Sequence, residues 1–541
     1  MAEFNAEYRY GSAHWAEESE LRRVGMFVRG GPHIGYFNRK PIYLEGDAPM
    51  ITFGGAGSGK LRDLLGFVMC TSKGQQMAVL DPRGELASIS IAAHTANGEH
   101  AFTWNPMGIA NLMRHSCNPL DILDMGSINF HADCKFIAES LITLSGSASG
   151  QYFEVRAREW AESIIKHYVE RFGDVSLPKL MDIVNAIEGN PEGWADFLET
   201  MLASQFDSVR RTAGEMLAKQ QDSPKEFGAV LGEIYAHTAF LNDPELSKSL
   251  DGRDFSLSAL VDPAQVVKIF LNVPAEYLSL WAPILRLMFT VMMLYKSRHP
   301  QSPQILLVVD EAGQLGKFEA LLRAFTFGRG AGIRAWAIFQ DTGQVVRNFG
   351  SAAALQSFLG SAQMRQFFGV RDLDTARLVS NMLGMETRSY DDKLRQSEAK
   401  MRKHEIVTSM LTGADPFELA HKLKHFQTAS DIQTKQQREL MTAGEILEMP
   451  DDEQILFISG KGLPPIRANK YPYFSRNARR EMAGKYLPNP YHPPSDKVQI
   501  ATWYGKKWAQ VITCPVPNSF RAFPQYADGN WSYVDGYMPK P

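Results

Sequence analysis

The sequence predicts an α/β fold with a mainly parallel sheet, and three features of the chain support this fold class. A short apolar run, Ile51–Phe53, leads into a glycine-rich loop that ends on Lys60. A second apolar run, residues 304–309, ends in two acidic residues. Between them, residues 119–260 carry long helical periods. Strands and helices in this order predict a sheet core interrupted by an inserted all-helical domain.

The glycine-rich loop predicts a phosphate-binding site. Gly54, Gly59 and Lys60 fit the pattern G-x-x-x-x-G-K, in which backbone N–H groups close around phosphate oxygens and the lysine meets the β and γ phosphates. Taken alone, the segment also fits an ordinary tight turn after a strand. The predicted phosphate-binding residues are Gly54, Gly55, Ala56, Gly57, Ser58, Gly59, Lys60 and Leu61.

Leu61 departs from this pattern. The position after the lysine normally holds Ser or Thr, whose hydroxyl binds Mg²⁺. Since Mg²⁺ commonly keeps several water ligands, an acidic residue elsewhere could still hold the ion. The sequence therefore predicts ATP binding and leaves ATP hydrolysis open.

The acidic pair is predicted to complete the site. The run before it, rich in Val, Ile and Leu, is typical of a strand buried on both faces of a parallel sheet. Its carboxyl end is where open α/β sheets bind ligands. We predict that Asp310 is the metal ligand and that Glu311 polarises the attacking water. Together with the glycine loop, these residues indicate a nucleoside triphosphatase core.

Further polar residues follow predicted strands. Gln340 ends the run that begins at Ala335 and is predicted to sense the γ-phosphate, with a strand cap bonded to backbone as the alternative. Arg329, in a glycine-rich loop, is predicted to reach a neighbouring subunit's nucleotide. The alternative is a surface arginine without a role. Residues 81–85 are predicted to lie near the nucleotide or the next subunit, or to form a solvated turn.

Composition narrows the class of protein. The 541 residues are 44% hydrophobic and 22% charged, as in an ordinary globular chain, and the net charge is -3. This charge gives no overall attraction to nucleic acid, so any DNA contact must be local. The four cysteines form no C-x-x-C pair, which argues against a disulfide framework or zinc site. Residues 278–295 predict a buried helix rather than a membrane span, because Arg286 interrupts them.

A set of motifs resembles the type IV secretion coupling proteins, the TraG/TraD-like conjugation ATPases, over about Tyr10 to Tyr473. Their order along the chain carries the resemblance: Gly11-Ser-Ala-His-Trp-Ala16, the glycine loop, Asp81-Pro-Arg-Gly-Glu-Leu86, Asn105-Pro106, Asp310-Glu311, Leu315-Gly316, Gly328-Arg-Gly-Ala-Gly-Ile-Arg334, Phe339-Gln340, residues 444–460 and Leu463-Pro-Pro-Ile-Arg467.

The resemblance implies a RecA-like P-loop NTPase core that uses ATP and Mg²⁺. By position, Lys60, Asp310, Glu311, Gln340 and Arg329 match that family's phosphate lysine, acidic pair, sensor glutamine and arginine finger. We expect the core at 1–118 and 261–480, the helical insertion at 119–260, and a C-terminal extension at 481–541.

The resemblance also implies a biological setting. Proteins of this family form hexameric rings around a channel and deliver DNA–relaxase complexes or effector proteins to type IV secretion channel components. The helical insertion would select cargo. Members of this family usually begin with transmembrane helices, whereas only about ten residues precede the Gly-Ser-Ala motif here. We therefore expect a version that lacks these helices, with a bacterial cytoplasmic location and contact to the inner membrane through a partner.

Three function classes fit the sequence. The first is a ring ATPase that drives transfer. The second, favoured by Leu61, is a hydrolysis-deficient nucleotide-binding subunit that recruits cargo for a membrane-bound coupling component. The third is a monomeric phosphotransferase, which the arginine loop argues against.

The C-terminal third is less informative. Residues 386–439 predict an exposed helix, and residues 486–541 carry many aromatics predicted to pack back on the core or dock on a partner. Residues 461–485 hold seven basic residues against one acidic residue, with Tyr471, Tyr473 and Phe474 among them. This stretch fits a solvated surface, with single-stranded DNA binding as the alternative.

Overall fold

The computed structural model describes residues 10–144, 150–391, 393–411, 433–491, 497–503 and 505–534. Its strands are β1 (His33–Phe37), β2 (Lys40–Tyr43), β3 (Met50–Gly54), β4 (Gln76–Asp81), β5 (His100–Trp104), β6 (Val267–Asn272), β7 (Ile305–Val309), β8 (Ile333–Phe339), β9 (Met364–Phe368), β10 (Met385–Asp391), β11 (Gln433–Glu439), β12 (Glu453–Ile458), β13 (Ile466–Asn469), β14 (Lys497–Thr502), β15 (Gly505–Pro515) and β16 (Asn530–Val534).

The α-helices are distributed along the whole chain. They are α1 (Glu18–Arg23), α2 (Gly66–Thr71), α3 (Glu85–Ala96), α4 (Phe130–Leu141), α5 (Gln151–Phe172), α6 (Leu177–Gly189), α7 (Pro191–Leu202), α8 (Asp207–Asp222), α9 (Pro224–Thr238), α10 (Pro244–Asp251), α11 (Ala282–Arg298), α12 (Glu319–Ala331), α13 (Thr342–Phe349), α14 (Ala352–Ser361), α15 (Leu373–Leu383), α16 (Lys393–Leu411), α17 (Ala443–Leu447) and α18 (Arg479–Met482).

An eleven-stranded sheet forms the centre of the molecule, in the order β2-β1-β13-β12-β9-β3-β8-β7-β4-β6-β5. The strands from β9 to β5 all pair in parallel. The strands from β9 to β2 pair antiparallel. The α/β fold class with a mainly parallel sheet, predicted from the sequence, is confirmed.

The local sequence explains these strands. Every residue of β3, β7 and β8 is buried, which fits their continuous apolar character and the helices that cover a parallel sheet. Between β1 and β2, Asn38 and Arg39 both have positive φ, 48° and 63°. Asn38-Arg39 stands between two short strand-like runs and therefore predicts a turn, and two residues with this conformation make the tight turn whose twist matches a β-hairpin.

The chain leaves the sheet after β5 and returns at β6. Helices α4 to α10 occupy this interval. On α5, the side chains of Ala157, Trp160 and Ile164 are buried on one face, as the helical spacing predicts. The domain boundaries given above stay a prediction.

The apolar helix predicted at residues 278–295 is α11. Most of its apolar side chains, including Leu285, Met288 and Phe289, are buried in the main core. Among the described helices, none is long and apolar enough to cross a membrane.

Two predicted elements differ in the structure. The sequence of residues 11–23 predicts a short capped amphipathic helix, but the helix begins only at Glu18, because residues 11–13 are extended and bond the backbone at Met385. The exposed helix expected over residues 386–439 is present only as α16. It is flanked by β10 and β11, which pair antiparallel over seven residues, because the chain pairs with itself here. Residues 412–432 lie outside the described part.

The C-terminal extension packs back on the core. Strands β14, β15 and β16 form an antiparallel sheet. Its apolar cluster, formed by Leu487, Val516, Tyr526 and Trp531, contacts Ala92 of α3. This arrangement agrees with the first of the two packing modes predicted for the aromatic residues.

Candidate nucleotide site

The glycine loop connects β3 to a π-helical turn, Lys60–Leu65, and then to α2. Gly59 has φ 86°, and a Cβ there would lie 2.2 Å from Asp63 Oδ2. A Cβ on Gly55 would lie 2.3 Å from the carbonyl oxygen of Gly369, which follows β9. The loop therefore needs glycine both for its backbone conformation and for its close approach to the neighbouring strand end.

Lys60 points back across this loop. Its ammonium group donates a hydrogen bond to the Gly54 carbonyl at 3.0 Å and forms an ion pair with Glu311 Oε1 at 3.3 Å. The second carboxylate oxygen of Glu311 accepts a hydrogen bond from Gln340 Nε2 at 2.9 Å. Lys60, Glu311 and Gln340, predicted from three separate segments, thus form one connected polar chain.

Glu311 adopts an unusual backbone conformation, with φ 53°. A left-handed conformation at a residue other than glycine is energetically unfavourable and is found preferentially at functional sites. Here it follows β7 directly and turns the Glu311 carboxylate towards Lys60 and Gln340.

Asp310 lies buried beside Glu311, and its Oδ1 accepts a hydrogen bond from the Glu311 N–H at 3.0 Å. Burial, with a further contribution from the Glu311 charge, raises the pKa of Asp310 to about 7, while Lys60 acts in the opposite direction. A bound cation would remove this unfavourable effect by stabilising the ionised carboxylate.

Two more oxygen donors lie at the same edge of the sheet. Asp81 ends β4 and Asn272 ends β6, and β4 pairs with both β6 and β7. Asp81 Oδ2 accepts from Asn272 Nδ2 at 3.1 Å, while Asp81 Oδ1 and Asn272 Oδ1 are buried without a partner among the described residues. Burial raises the pKa of Asp81 to about 6. These oxygen groups, with Asp310, fit a hydrated Mg²⁺.

Asn272 was not predicted as a site residue. Its position at the carboxyl end of a buried run, residues 266–273, is the same signal that identified Gln340. Leu61 is half-buried and packs against the core, so its side chain supplies no oxygen ligand.

Lys470 was also not predicted as a site residue, although it holds the glycine loop in place. Its buried ammonium donates to the Ser58 carbonyl at 2.8 Å and pairs with Asp63 at 3.2 Å. It also bonds the Asp451 carbonyl and lies 4.8 Å from the Phe368 ring centre. Burial lowers the pKa of this lysine. The surface interpretation of the basic stretch 461–485 is therefore wrong for Lys470.

Arg329 lies elsewhere. It occupies the last turn of α12 rather than a loop, because the helix continues to Ala331, and it donates to Asp47 Oδ2 at 3.0 Å. Asp47 precedes β3, so this pair lies at the sheet edge opposite the glycine loop. The seven residues of β8, about 23 Å at a usual strand rise, separate the two edges.

Another arginine that was not predicted as a site residue, the exposed Arg371, lies beside the glycine loop. Its Cδ would lie 3.6 Å from a Cβ on Gly55. It follows β9, the strand beside β3. No local motif identifies it, because its position depends on the pairing of β9 with β3.

The turn at residues 82–85 is held within the chain. Arg83 pairs with Glu85 at 3.0 Å, and its guanidinium lies 4.6 Å from the ring centre of Tyr491. Tyr491 also donates to the Arg83 carbonyl at 2.9 Å. The solvated-turn alternative for these residues included an internal Arg–Glu pair, and this pair is present, although Glu85 is buried.

Together, the fold and the glycine loop define a P-loop protein. Its acidic pair follows β7, which lies two strands away from β3 in the sheet. Residues 14–492 match the family described as Type IV secretory system Conjugative DNA transfer. The chain belongs to this family, which confirms the resemblance inferred from its motifs.

The individual relatives that match most of this chain have low sequence identity to it. The chain is 24% identical over 484 residues to Protein VirD4 of Rhizobium radiobacter, covering 86% of this chain and 64% of that protein. It is 23% identical over 546 residues to Conjugal transfer protein TraG of Agrobacterium fabrum, covering 94% and 76%.

Among solved structures, the chain resembles the bacterial conjugative coupling protein TrwBdeltaN70 in its unbound monoclinic form. The TM-score is 0.58 at 16% identity, covering 88% of this chain and all of that one. A TrwB structure in complex with ADP and Mg²⁺ gives a TM-score of 0.56, also at 16% identity, over 88% and 98%. This similarity shows that the fold is shared.

Proposed function

We propose that this protein is an ATPase of the type IV secretion coupling class, which uses ATP hydrolysis to move cargo into a secretion channel. The observation that carries this proposal is the connected chain Lys60–Glu311–Gln340 beside the buried Asp310, at the carboxyl edge of a parallel sheet. Families with this fold bind phosphate at that edge.

The contacts suggest how ATP would enter. Lys60 is already paired with Glu311, so an arriving β,γ-phosphate would take over the lysine and leave Glu311 free to accept a proton from water. Asp310 would hold Mg²⁺, which neutralises charge on the phosphates, with Asp81 and Asn272 orienting its water ligands.

Gln340 would couple the state of the nucleotide site to helix α13. It bonds Glu311 through its side chain, and its backbone N–H donates to Gln344 of α13 at 2.9 Å. A change at Glu311 would therefore reach the first turn of α13 through two hydrogen bonds. ATP and Mg²⁺ as cofactors are further supported by the related protein TrwB, whose structures are described in complex with ADP and Mg²⁺ and with a non-hydrolysable ATP analogue.

The assembly proposed is a hexamer. Arg329 lies at the sheet edge away from its own glycine loop, so it would act on a neighbouring subunit's nucleotide after release from Asp47. The proposed partners are secretion channel components, relaxase or effector proteins and single-stranded DNA. The proposed location is the bacterial cytoplasm, with peripheral contact to the inner membrane through a partner.

The test is Mg²⁺-dependent ATP hydrolysis over a series of protein concentrations, with and without single-stranded DNA. We expect turnover per chain to rise with concentration, because Arg329 must come from a neighbour, and to disappear in Lys60→Ala. Mixing Arg329→Ala with Lys60→Ala should restore activity, since each variant lacks a different half of the shared site.

Silence of the natural protein at every concentration would contradict the proposal. If Leu61→Thr alone hydrolysed ATP, the chain would instead be a recruiting subunit that keeps the fold for nucleotide binding. That second function is the one favoured by the missing hydroxyl at position 61.

A further inference from the structure

A cleft of about 540 Å³ lies between the helical insertion and the sheet core. Helices α4 and α5 form one wall, and α11 and α12 form the other. Its apolar lining includes Phe136, Phe318 and Leu294, and the exposed Phe327 lies at its margin. The volume falls in the range of pockets that hold small ligands or a few residues of a peptide.

Two arginines line this cleft, one from each wall. Arg158 of α5 donates through Nε to the Ile142 carbonyl at 2.6 Å, and Arg286 of α11 donates through Nη1 to the Leu315 carbonyl at 2.8 Å. Burial lowers the pKa of both guanidinium groups. Within the described residues, neither forms an ion pair with a carboxylate closer than 4.0 Å.

Basic side chains outnumber acidic ones in the lining of the cleft. Arg323 and Lys317 also line it, whereas the acidic lining consists of Glu139 and Glu319. Glu319 is already paired with Lys317 at 3.1 Å. Glu139 and Glu154 both act on Arg158, but neither forms an ion pair with it. The three arginines therefore lack a close negative partner among the described residues.

An acidic group does lie behind the arginines. Glu154, Glu233 and His237 bring their ligand atoms within 4.8 Å of one another. Burial lowers the pKa of His237; Glu233 and Glu154 oppose this shift, and the positive charges of Arg158 and Arg286 add to it, so both arginines act on this group and oppose a bound cation. The open face of the cleft thus favours an anion.

We propose that this cleft binds a short acidic peptide segment of a partner protein, with an apolar or aromatic side chain beside its carboxylates. A half-buried guanidinium without a carboxylate in ion-pair contact is unfavourable, and its planar donor fork matches a carboxylate. The phenyl rings of the lining match the apolar side chain. A nucleic acid strand fits less well, because it offers regularly spaced phosphates to a lining in which apolar side chains lie between the basic ones.

The cleft is also connected to the nucleotide site. Leu315, whose carbonyl binds Arg286, ends the turn Ala312–Leu315, which directly follows Glu311. A peptide that draws Arg286 away from Leu315 would alter this turn and hence the position of Glu311. This consequence rests on the proposed ATPase function, whereas peptide binding does not.

The experiment measures binding in the absence of nucleotide, by fluorescence anisotropy of a fluorescein-labelled peptide of alternating Glu and Phe residues. Its counterpart carries Gln in place of every Glu. The test variant is Arg158→Gln with Arg286→Gln, and the matched control is Arg211→Gln, an exposed arginine of α8 that does not line the cleft.

We expect the acidic peptide to bind at least about tenfold more tightly than its Gln counterpart, and the double variant to lose about tenfold or more, as the loss of a charge-assisted hydrogen bond predicts. The control should bind like the natural protein. Equal binding of the two peptides, or an unchanged double variant, would overturn the proposal. Displacement of the peptide by single-stranded oligothymidylate would assign the cleft to nucleic acid and would overturn it too.

A second variant tests the proposal even if the double variant fails to fold. Arg323→Glu changes an exposed side chain that lines the cleft. It should weaken acidic-peptide binding without altering the thermal unfolding midpoint, and unchanged affinity would count against the proposal. Because no ATP is present, a hydrolysis-deficient protein would still give this result, so the two proposals fail independently.

Discussion

Two lysines contact the glycine loop from opposite directions along the sheet, and they differ in what holds them. Lys60 has 10% of its side chain exposed and faces Glu311, which follows β7. Lys470 has 1% exposed and follows β13, on the other side of β3 in the sheet order. One lysine can change partners, whereas the other is locked by three oxygen acceptors.

This difference indicates that Lys60 serves nucleotide binding, whereas Lys470 stabilises the structure of the glycine loop. An ion pair at the edge of a site can exchange its carboxylate for a phosphate at small cost, because both partners stay partly solvated. A buried pair cannot, since removing one partner leaves an uncompensated charge in the interior. We therefore expect changes on the Lys60 side to alter catalysis and changes on the Lys470 side to alter stability.

The largest effect is expected on the Lys60 side, from Glu311→Gln. Removing the base should lower hydrolysis by about a thousandfold, within the range for general-base loss. ATP affinity should rise at the same time, because Lys60 loses its ionised partner. Single-turnover hydrolysis and equilibrium ATP binding would measure both effects.

The exposed Glu448→Gln provides a control for the Glu311 substitution. It should change neither hydrolysis nor affinity. Unaltered hydrolysis in Glu311→Gln, or weaker ATP binding, would show that the Lys60–Glu311 pair does not act as described.

On the opposite side, Lys470→Met should destabilise the protein by about 2 kcal/mol or more, because the buried Asp63 would keep only its ion pair with Arg62 and the Ser58 carbonyl would lose its donor. Chemical denaturation would measure the loss. Adding Asp63→Asn should recover part of it. A double variant as unstable as the sum of the two single variants would mean that the pair is not coupled.

A smaller, pH-dependent effect is expected from His33, which stacks on Phe67 of α2 at 4.4 Å between ring centres. Burial first, and Arg29 second, lower its pKa to about 3. The unfolded chain takes up a proton near pH 6.5, so the stabilisation is complete above that pH and is lost as pH falls towards 3.

Between pH 7 and pH 5, the natural protein should therefore lose about 2 kcal/mol more stability than His33→Phe does, by the linkage relation. Unfolding midpoints at a series of pH values would show this. Parallel pH profiles for the two proteins would contradict the burial of a neutral His33.

The smallest effect is expected from Leu61→Thr. A hydroxyl at this position would add one oxygen near the metal and should raise Mg²⁺-dependent hydrolysis by about tenfold, equivalent to one favourable hydrogen bond to a charged group. Leu61→Val is the matched control, because it has the same branching without the hydroxyl. Equal activity of the two variants would indicate that Asp310 already satisfies the metal.

Much of the parallel core could be predicted from the sequence. Buried parallel strands are continuous apolar runs, and their carboxyl ends meet at one edge, so the polar residues that follow them were expected to converge. Lys60, Asp310, Glu311 and Gln340 all follow this rule.

Lys470, Arg371 and the β10–β11 pair could not be predicted in the same way. The position of Lys470 depends on β13 joining the sheet through antiparallel pairing, and that of Arg371 depends on which strand lies beside β3. The polar residues of β10 and β11 show no apolar alternation, and none of the side chains that the structure describes in these strands belongs to the main core. Their pairing is therefore set by tertiary contacts such as those with residues 11–13.

The central claim is that Lys60 makes the glycine loop an ATP site. Isothermal titration of ATP with Mg²⁺ into the natural protein and into Lys60→Ala tests it most directly. We predict one ATP bound per chain, and an affinity at least about tenfold lower in the variant, from the loss of a charge-assisted hydrogen bond. Equal affinity in the two proteins, or no binding to the natural protein, would contradict the claim.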